Sequence, residues 1–136
     1  MLALPDVRAW VETGPSNSLV DKVDLFSRHI VKGLHRDQQV TTAQIRQVFA
    51  KMKAIEAKGG IVAPNQQVDF LMLKPQLAYA AGRHGKQGLD ALKERLTEGI
   101  NVVLEPTTSQ EQQYRFKNFC LLFEAILSYH KAHHGI

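Results

Sequence analysis

Residues 16–34 read SNSLVDKVDLFSRHIVKGL, and the spacing inside this stretch decides the fold class. Leu19, Val23, Phe26, Ile30 and Leu34 recur at steps of four, three, four and four. Those steps draw one apolar stripe along a helix of about 3.6 residues per turn. A strand requires alternation at every second residue, which is absent here. Ser16, Asn17 and Ser18 stand ahead of the stripe as helix caps. Upstream, Leu4-Pro5 opens a short helix with Val7, Trp10 and Val11 on one side, and Gly14-Pro15 closes it.

The same period continues downstream. Residues 36–40 are polar and form a connection. Thr41 with Gln44 makes a capping box, and Ile45, Val48, Phe49, Met52 and Ile55 follow as the next stripe. Gly59-Gly60 stops it. Pro64-Asn65 precedes Val68, Leu71 and Met72; a break is expected at Lys74-Pro75, because proline lacks the N–H that a helix interior uses. Leu77, Ala78 and Ala81 resume the pattern, and Gly82, Gly85 and Gly88 mark a turn around Arg83, His84 and Lys86. Leu89, Leu92, Leu96, Ile100 and Val103 form a further stripe, broken at residues 105–108. The last helix starts at a box of Ser109 with Gln112 or of Thr108 with Glu111. Its face of Phe116, Phe119, Cys120, Phe123, Leu127 and His130 is widened by Leu121, Leu122 and Ile126, the mark of a central helix. The expected fold is all-α: a compact bundle of about five main helices, with a short N-terminal helix and a break at Pro75, in a single domain over residues 1–136.

A chain of 136 residues, 44% apolar and 22% charged, suits one domain. At this size folding buries roughly 70% of the unfolded surface, so no covalent staple is needed. Cys120 is the single cysteine, which excludes an internal disulfide framework and any zinc site built on several cysteines. A reducing, cytoplasmic setting fits that usage. No apolar run reaches the roughly 18 residues of a membrane span. Residues 1–10, with Pro5, Asp6 and Arg8, do not read as a signal peptide.

The net charge of +4 is unevenly spread. Residues 1–40 balance five basic groups against five acidic ones, and residues 101–136 balance three against three. Between 41 and 88, Arg46, Lys51, Lys53, Lys58, Lys74, Arg83 and Lys86 face only Glu56 and Asp69. Such a patch suits an anionic partner; a solvated basic face is the alternative. Arg46 and Lys53, seven residues apart, project together from one helix, well away from its apolar side. Arg46, Lys53, Lys74, Arg83 and Lys86 are the candidate phosphate contacts, since a backbone binder needs spaced cations rather than one catalytic geometry. The Gly82–Gly85 turn would add backbone N–H groups. With no recognition helix, RRM aromatic motif or KH loop, any nucleic acid would be read through backbone and shape. Tyrosines in bundles mostly bury the ring and wet the hydroxyl; Tyr79, four residues before Arg83, is the best placed of Tyr79, Tyr114 and Tyr129 to stack a base.

Other constellations carry less. His130, His133 and His134 have a spacing that suits a metal, but no carboxylate or cysteine lies nearby, and a solvent-exposed tail is expected. Cys120, between Phe119 and Phe123, reads as a small buried hydrophobe. No P-loop, Rossmann fingerprint or nucleophile elbow is present. Arg28 and His35 resemble the Arg-x4–6-His pattern of HEPN-type ribonucleases, although both residue types are common at helix C-termini. An enzyme, a metal and a cofactor are not expected.

The run Leu73-Lys74-Pro75-Gln76-Leu77-Ala78-Tyr79-Ala80-Ala81-Gly82-Arg83 resembles the signature of the small helical subunit of type III-A CRISPR interference complexes, the Csm complexes. Thr41-Thr42-Ala43-Gln44-Ile45-Arg46 is similar to that family's helix start. Arg115-Phe116-Lys117-Asn118-Phe119 and Glu124 to Lys131 resemble its closing helix. The matches keep their order over residues 41–134, and residues 1–40 match only as a generic helical lead-in.

The resemblance implies a non-catalytic, RNA-binding subunit of an antiviral ribonucleoprotein, present in several copies. Its partners would be guide RNA and target RNA, the repeated backbone subunits, the Cas10-type large subunit and neighbouring copies of itself. Base pairing would read sequence while the protein supplies charge and shape. By motif, Arg46 and Arg83 would touch phosphates, and Arg115 and Lys131 also match family positions. About five contacts to a single strand predict a log–log salt slope near −3.5. The competing expectations are a HEPN-like ribonuclease using Arg28 and His35, and a helical adaptor that binds only protein.

Overall fold

The computed structural model describes all of residues 1–136, folded into seven α-helices and one short 3-10 turn, without strands. Five helices have twelve residues or more: α2 (Asn17–Lys32), α3 (Thr42–Ala57), α5 (Leu73–His84), α6 (Gln87–Leu104) and α7 (Ser109–Ala132). The short α1 (Leu4–Thr13) precedes them, and α4 (Pro64–Leu71) is a short helix leading into α5.

The starts follow the capping chemistry of the sequence. Ser16 Oγ accepts from the Leu19 N–H at 3.2 Å. Thr41 and Gln44 form both halves of their box, at 3.1 and 2.9 Å. Thr108, rather than Ser109, caps α7, accepting from the Glu111 N–H. Gly14 ends α1 at a φ of 91°, where a side chain would be strained.

Two boundaries differ from expectation. The break before α5 falls at Met72, ahead of Lys74-Pro75. Pro75 thereby becomes the third residue of α5, within the first turn, where a helix leaves backbone N–H groups without intrahelical partners. The turn expected across Gly82–Gly88 shrinks to Gly85-Lys86, because α5 runs through Gly82, Arg83 and His84, and Gly88 already belongs to α6. Leu77 and Ala81, buried on the preceding turn and immediately before Gly82, hold it in the helix against its low propensity.

One apolar cluster of 30 buried residues draws on all seven helices. Long α7 is its axis, packed against α1, α2, α3 and α6. Phe116, Phe119 and Phe123 run along it. Phe70 meets Phe116 and Phe119 edge to face at 5.2 and 5.3 Å, and Phe49 meets Phe123 at 5.3 Å. Cys120 is buried in this face, and burial raises its thiol pKa. No helix is long and apolar enough to cross a membrane.

The histidine-rich end is docked, not a solvent-exposed tail. The inner side of the last turn of α7 stays packed, so His130 is fully buried with Nε2 2.8 Å from the Val40 carbonyl. His133 pairs with Asp24 of α2. The Thr42 N–H donates to the Ile136 carbonyl at 2.9 Å, tying the end of the chain to the start of α3.

Candidate nucleic-acid interface

The helical period places the basic residues of α3 in two rows. Lys51 and the C-cap residue Lys58 stand two turns apart on the side that lines the cleft toward α4 and α5. Arg46 and Lys53 stand two turns apart on another face, outside that cleft. Between α3 and the α4–α5 arm runs an open groove in two continuous parts. One, about 330 Å³, is lined by Val48, Lys51, Met72, Pro75, Gln76, Tyr79, Ala80, Arg83 and His84, with Gln47. The other, about 370 Å³, continues along Lys51, Ala54, Ile55, Lys58, Asp69, Met72, Leu73 and Gln76. These volumes fall at the lower end of the range for ligand sites.

Three cations line this groove: Lys51, Lys58 and Arg83. All three are exposed, and none forms an ion pair within the chain. Asp69 is its single carboxylate. Arg83 and His84 close α5, where positive charge complements the helix dipole. The backbone exposed there presents carbonyl oxygens, so the donor turn expected from Gly82 to Gly85 does not exist. Tyr79 does not bury its ring: it is 68% exposed, on the groove wall one turn before Arg83.

The remaining candidates lie elsewhere. Arg46 is exposed and unpaired on the other face of α3. Lys53 shares that face but bonds Glu56 at 2.7 Å, which raises its pKa, and lies over the Phe49 ring. Lys74 reaches α6, donating to Asn101 Oδ1 at 2.7 Å. Lys86 caps α6. Lys131 is exposed in the last turn of α7. Arg115 is largely enclosed. It donates to the Val102 carbonyl at 2.9 Å and lies 3.5 and 3.7 Å from Glu105 and Glu12. Its guanidinium therefore joins α7 to the end of α6 and to α1.

Arg28 and His35 do not line a common depression. Arg28 borders a shallow depression with Leu25, His29, Lys32 and Gly33, and His35 lies outside it, beyond the end of α2. Lys51 and Lys58 were not among the contacts expected from the sequence. Their seven-residue spacing was the available signal, as was Glu56, three residues after Lys53 and able to occupy it.

The family model for Csm2, type III-A, matches residues 17–135. The chain belongs to the Csm2 type III-A family. The match covers α2 to α7, including every element that builds the groove. Csm2 chains are small subunits of the type III-A CRISPR Csm effector complex, so the working partners include other subunits of that complex. No match is found among curated proteins or among solved structures.

Proposed function

We propose that this Csm2 subunit holds the sugar–phosphate backbone of RNA in the α3–α5 groove, without sequence specificity and without catalysis. The observation that carries the reading is the line of unpaired cations, Lys51, Lys58 and Arg83, along one open groove. Cations in such a row neutralise successive phosphates and release counterions, whatever the bases are. Within the effector, the bound strands are guide RNA and target RNA, whose pairing supplies sequence recognition. Arg46, on the far face of α3, and Lys131, on α7, are outlying contacts. Lys74 and Lys86 extend the positive surface toward α6. The exposed Val62, Val68 and Leu71 around α4 offer an apolar face for a neighbouring subunit, either a backbone subunit, the Cas10-type subunit or another copy of this chain.

Fluorescence anisotropy with two unrelated single-stranded RNAs across a salt series tests the reading. The three groove contacts alone give a log–log slope of about −2, and the outlying Arg46 and Lys131 bring it to about −3.5. Lys51→Glu with Arg83→Glu is expected to weaken both RNAs alike. A loss confined to one sequence, or RNA cleavage that Arg28→Ala abolishes, overturns the proposal.

A further inference from the structure

The three tyrosines have different surroundings. The Tyr114 hydroxyl points to the Thr13 carbonyl at 3.4 Å. The Tyr129 ring stacks on His133, with centroids 6.4 Å apart and planes 21° from parallel. Tyr79 does neither: its hydroxyl has no partner in the chain and the residue is 68% exposed. An exposed ring of this size forfeits the burial that normally retains an aromatic residue in a bundle. The ring borders the groove, with Met72 and Pro75 as apolar neighbours, Arg83 one turn along α5 and Lys51 on α3 opposite. A flat apolar surface between two unpaired cations matches the chemistry of a nucleotide, which is a flat base beside anionic phosphates.

We infer that this part of the groove takes one unpaired nucleotide of single-stranded RNA, its base stacked on Tyr79 and its flanking phosphates held by Lys51 and Arg83. The inference rests on the RNA-binding reading and adds a strand state to it. In an A-form duplex the base faces are covered by their neighbours in the stack, and a protein ring reaches a base face only where the nucleotide is unpaired. Stacking is sequence-tolerant because every base has such a face, so the site favours single strands over duplexes without choosing among bases.

The test uses the full chain and three labelled probes of equal length: a uridine tract, an abasic ribose-phosphate tract and a duplex. Wild type is expected to bind the uridine tract at least about fivefold more tightly than the abasic tract. Tyr79→Ala removes that difference while leaving abasic and duplex binding unchanged, and Tyr79→Phe keeps it. Lys51→Glu weakens binding to all three. Because Tyr79 is exposed, the melting temperature of Tyr79→Ala should match wild type and so exclude unfolding as the cause. If wild type binds uridine and abasic tracts equally while Lys51→Glu still weakens both, the stacking site is overturned and the backbone reading stands. If wild type binds none of the probes, both are overturned.

Discussion

Lys51 and Lys53 stand two residues apart on α3 and meet different chemistry. The first lines the groove unpaired; the second is held by Glu56 and by the face of Phe49. Lys51→Gln is therefore expected to remove one phosphate contact and flatten the salt slope by about 0.7, whereas Lys53→Gln leaves both affinity and slope unchanged. His130 makes a second residue-level prediction. Its Nε2 faces the Val40 carbonyl and so carries the proton, while the buried Nδ1 has no partner. Burial lowers its pKa below the ordinary 6.5. The unfolded chain then binds a proton that the folded chain refuses, so this contribution is complete above that value and is lost as pH falls below it. Melting curves between pH 7.5 and 5 should show a decline that is smaller in His130→Gln. The sequence shows that α3 is basic and that Tyr79 stands one turn before Arg83, but its pairing of Arg46 with Lys53 does not reach the groove row of Lys51 and Lys58. Which lysine was engaged depended on Glu56 and on the direction in which α5 packs, and the second of these is a tertiary fact.

Two glycines separate helix propensity from helix packing. Gly82 lies in α5 with open space where a Cβ would be, so Gly82→Ala is expected to stabilise by about 0.5–1 kcal/mol. Gly99 lies in α6, and a Cβ there would come within 2.8 Å of the buried Phe119 ring of α7. Gly99→Ala gains the same propensity but overpacks the α6–α7 contact, which typically costs about 1–3 kcal/mol. Denaturant unfolding of the two variants should give shifts of opposite sign. The apolar period and the capping pairs made α2, α3, α6 and α7 readable, to within a residue or two at their ends. The α4–α5 junction lies ahead of the expected break because Pro75, taken alone, signals the end of one helix. The chain instead uses it in the first turn of the next. Gly82 by itself signals a turn for the same kind of reason, and that local propensity yields to the burial of Leu77 and Ala81.

At the scale of the whole molecule, ties between distant segments hold the helices in place around α7. Arg8 forms a paired contact with Glu105, both bonds at 2.7 Å, and holds that carboxyl below the usual range. Both partners are well exposed, so salt screens the pair and its contribution is small. Arg115 is better enclosed, and its bond to the Val102 carbonyl also ties α6 to α7. Arg115→Ala is expected to cost about 1–3 kcal/mol of stability while leaving RNA affinity unchanged, as thermal melting and anisotropy on the same sample would show. A drop in affinity at constant stability would instead return Arg115 to the RNA-binding set implied by the family resemblance. An all-helical bundle with a central last helix was legible from the apolar stripes. The groove was not, because it exists only where α3 and α5 lie side by side, and no periodicity within one helix encodes that pairing.

Trp10, the single tryptophan, is buried between α1 and α7, and its indole N–H donates to the Asn118 carbonyl at 2.9 Å. Neither α1 nor α7 contributes a side chain to the groove. The chain thus carries an intrinsic optical probe of its own core, set apart from the α3–α5 groove. Indole emission should shift when the bundle melts and stay constant when the groove fills, so one cuvette can report folding and occupancy as separate signals.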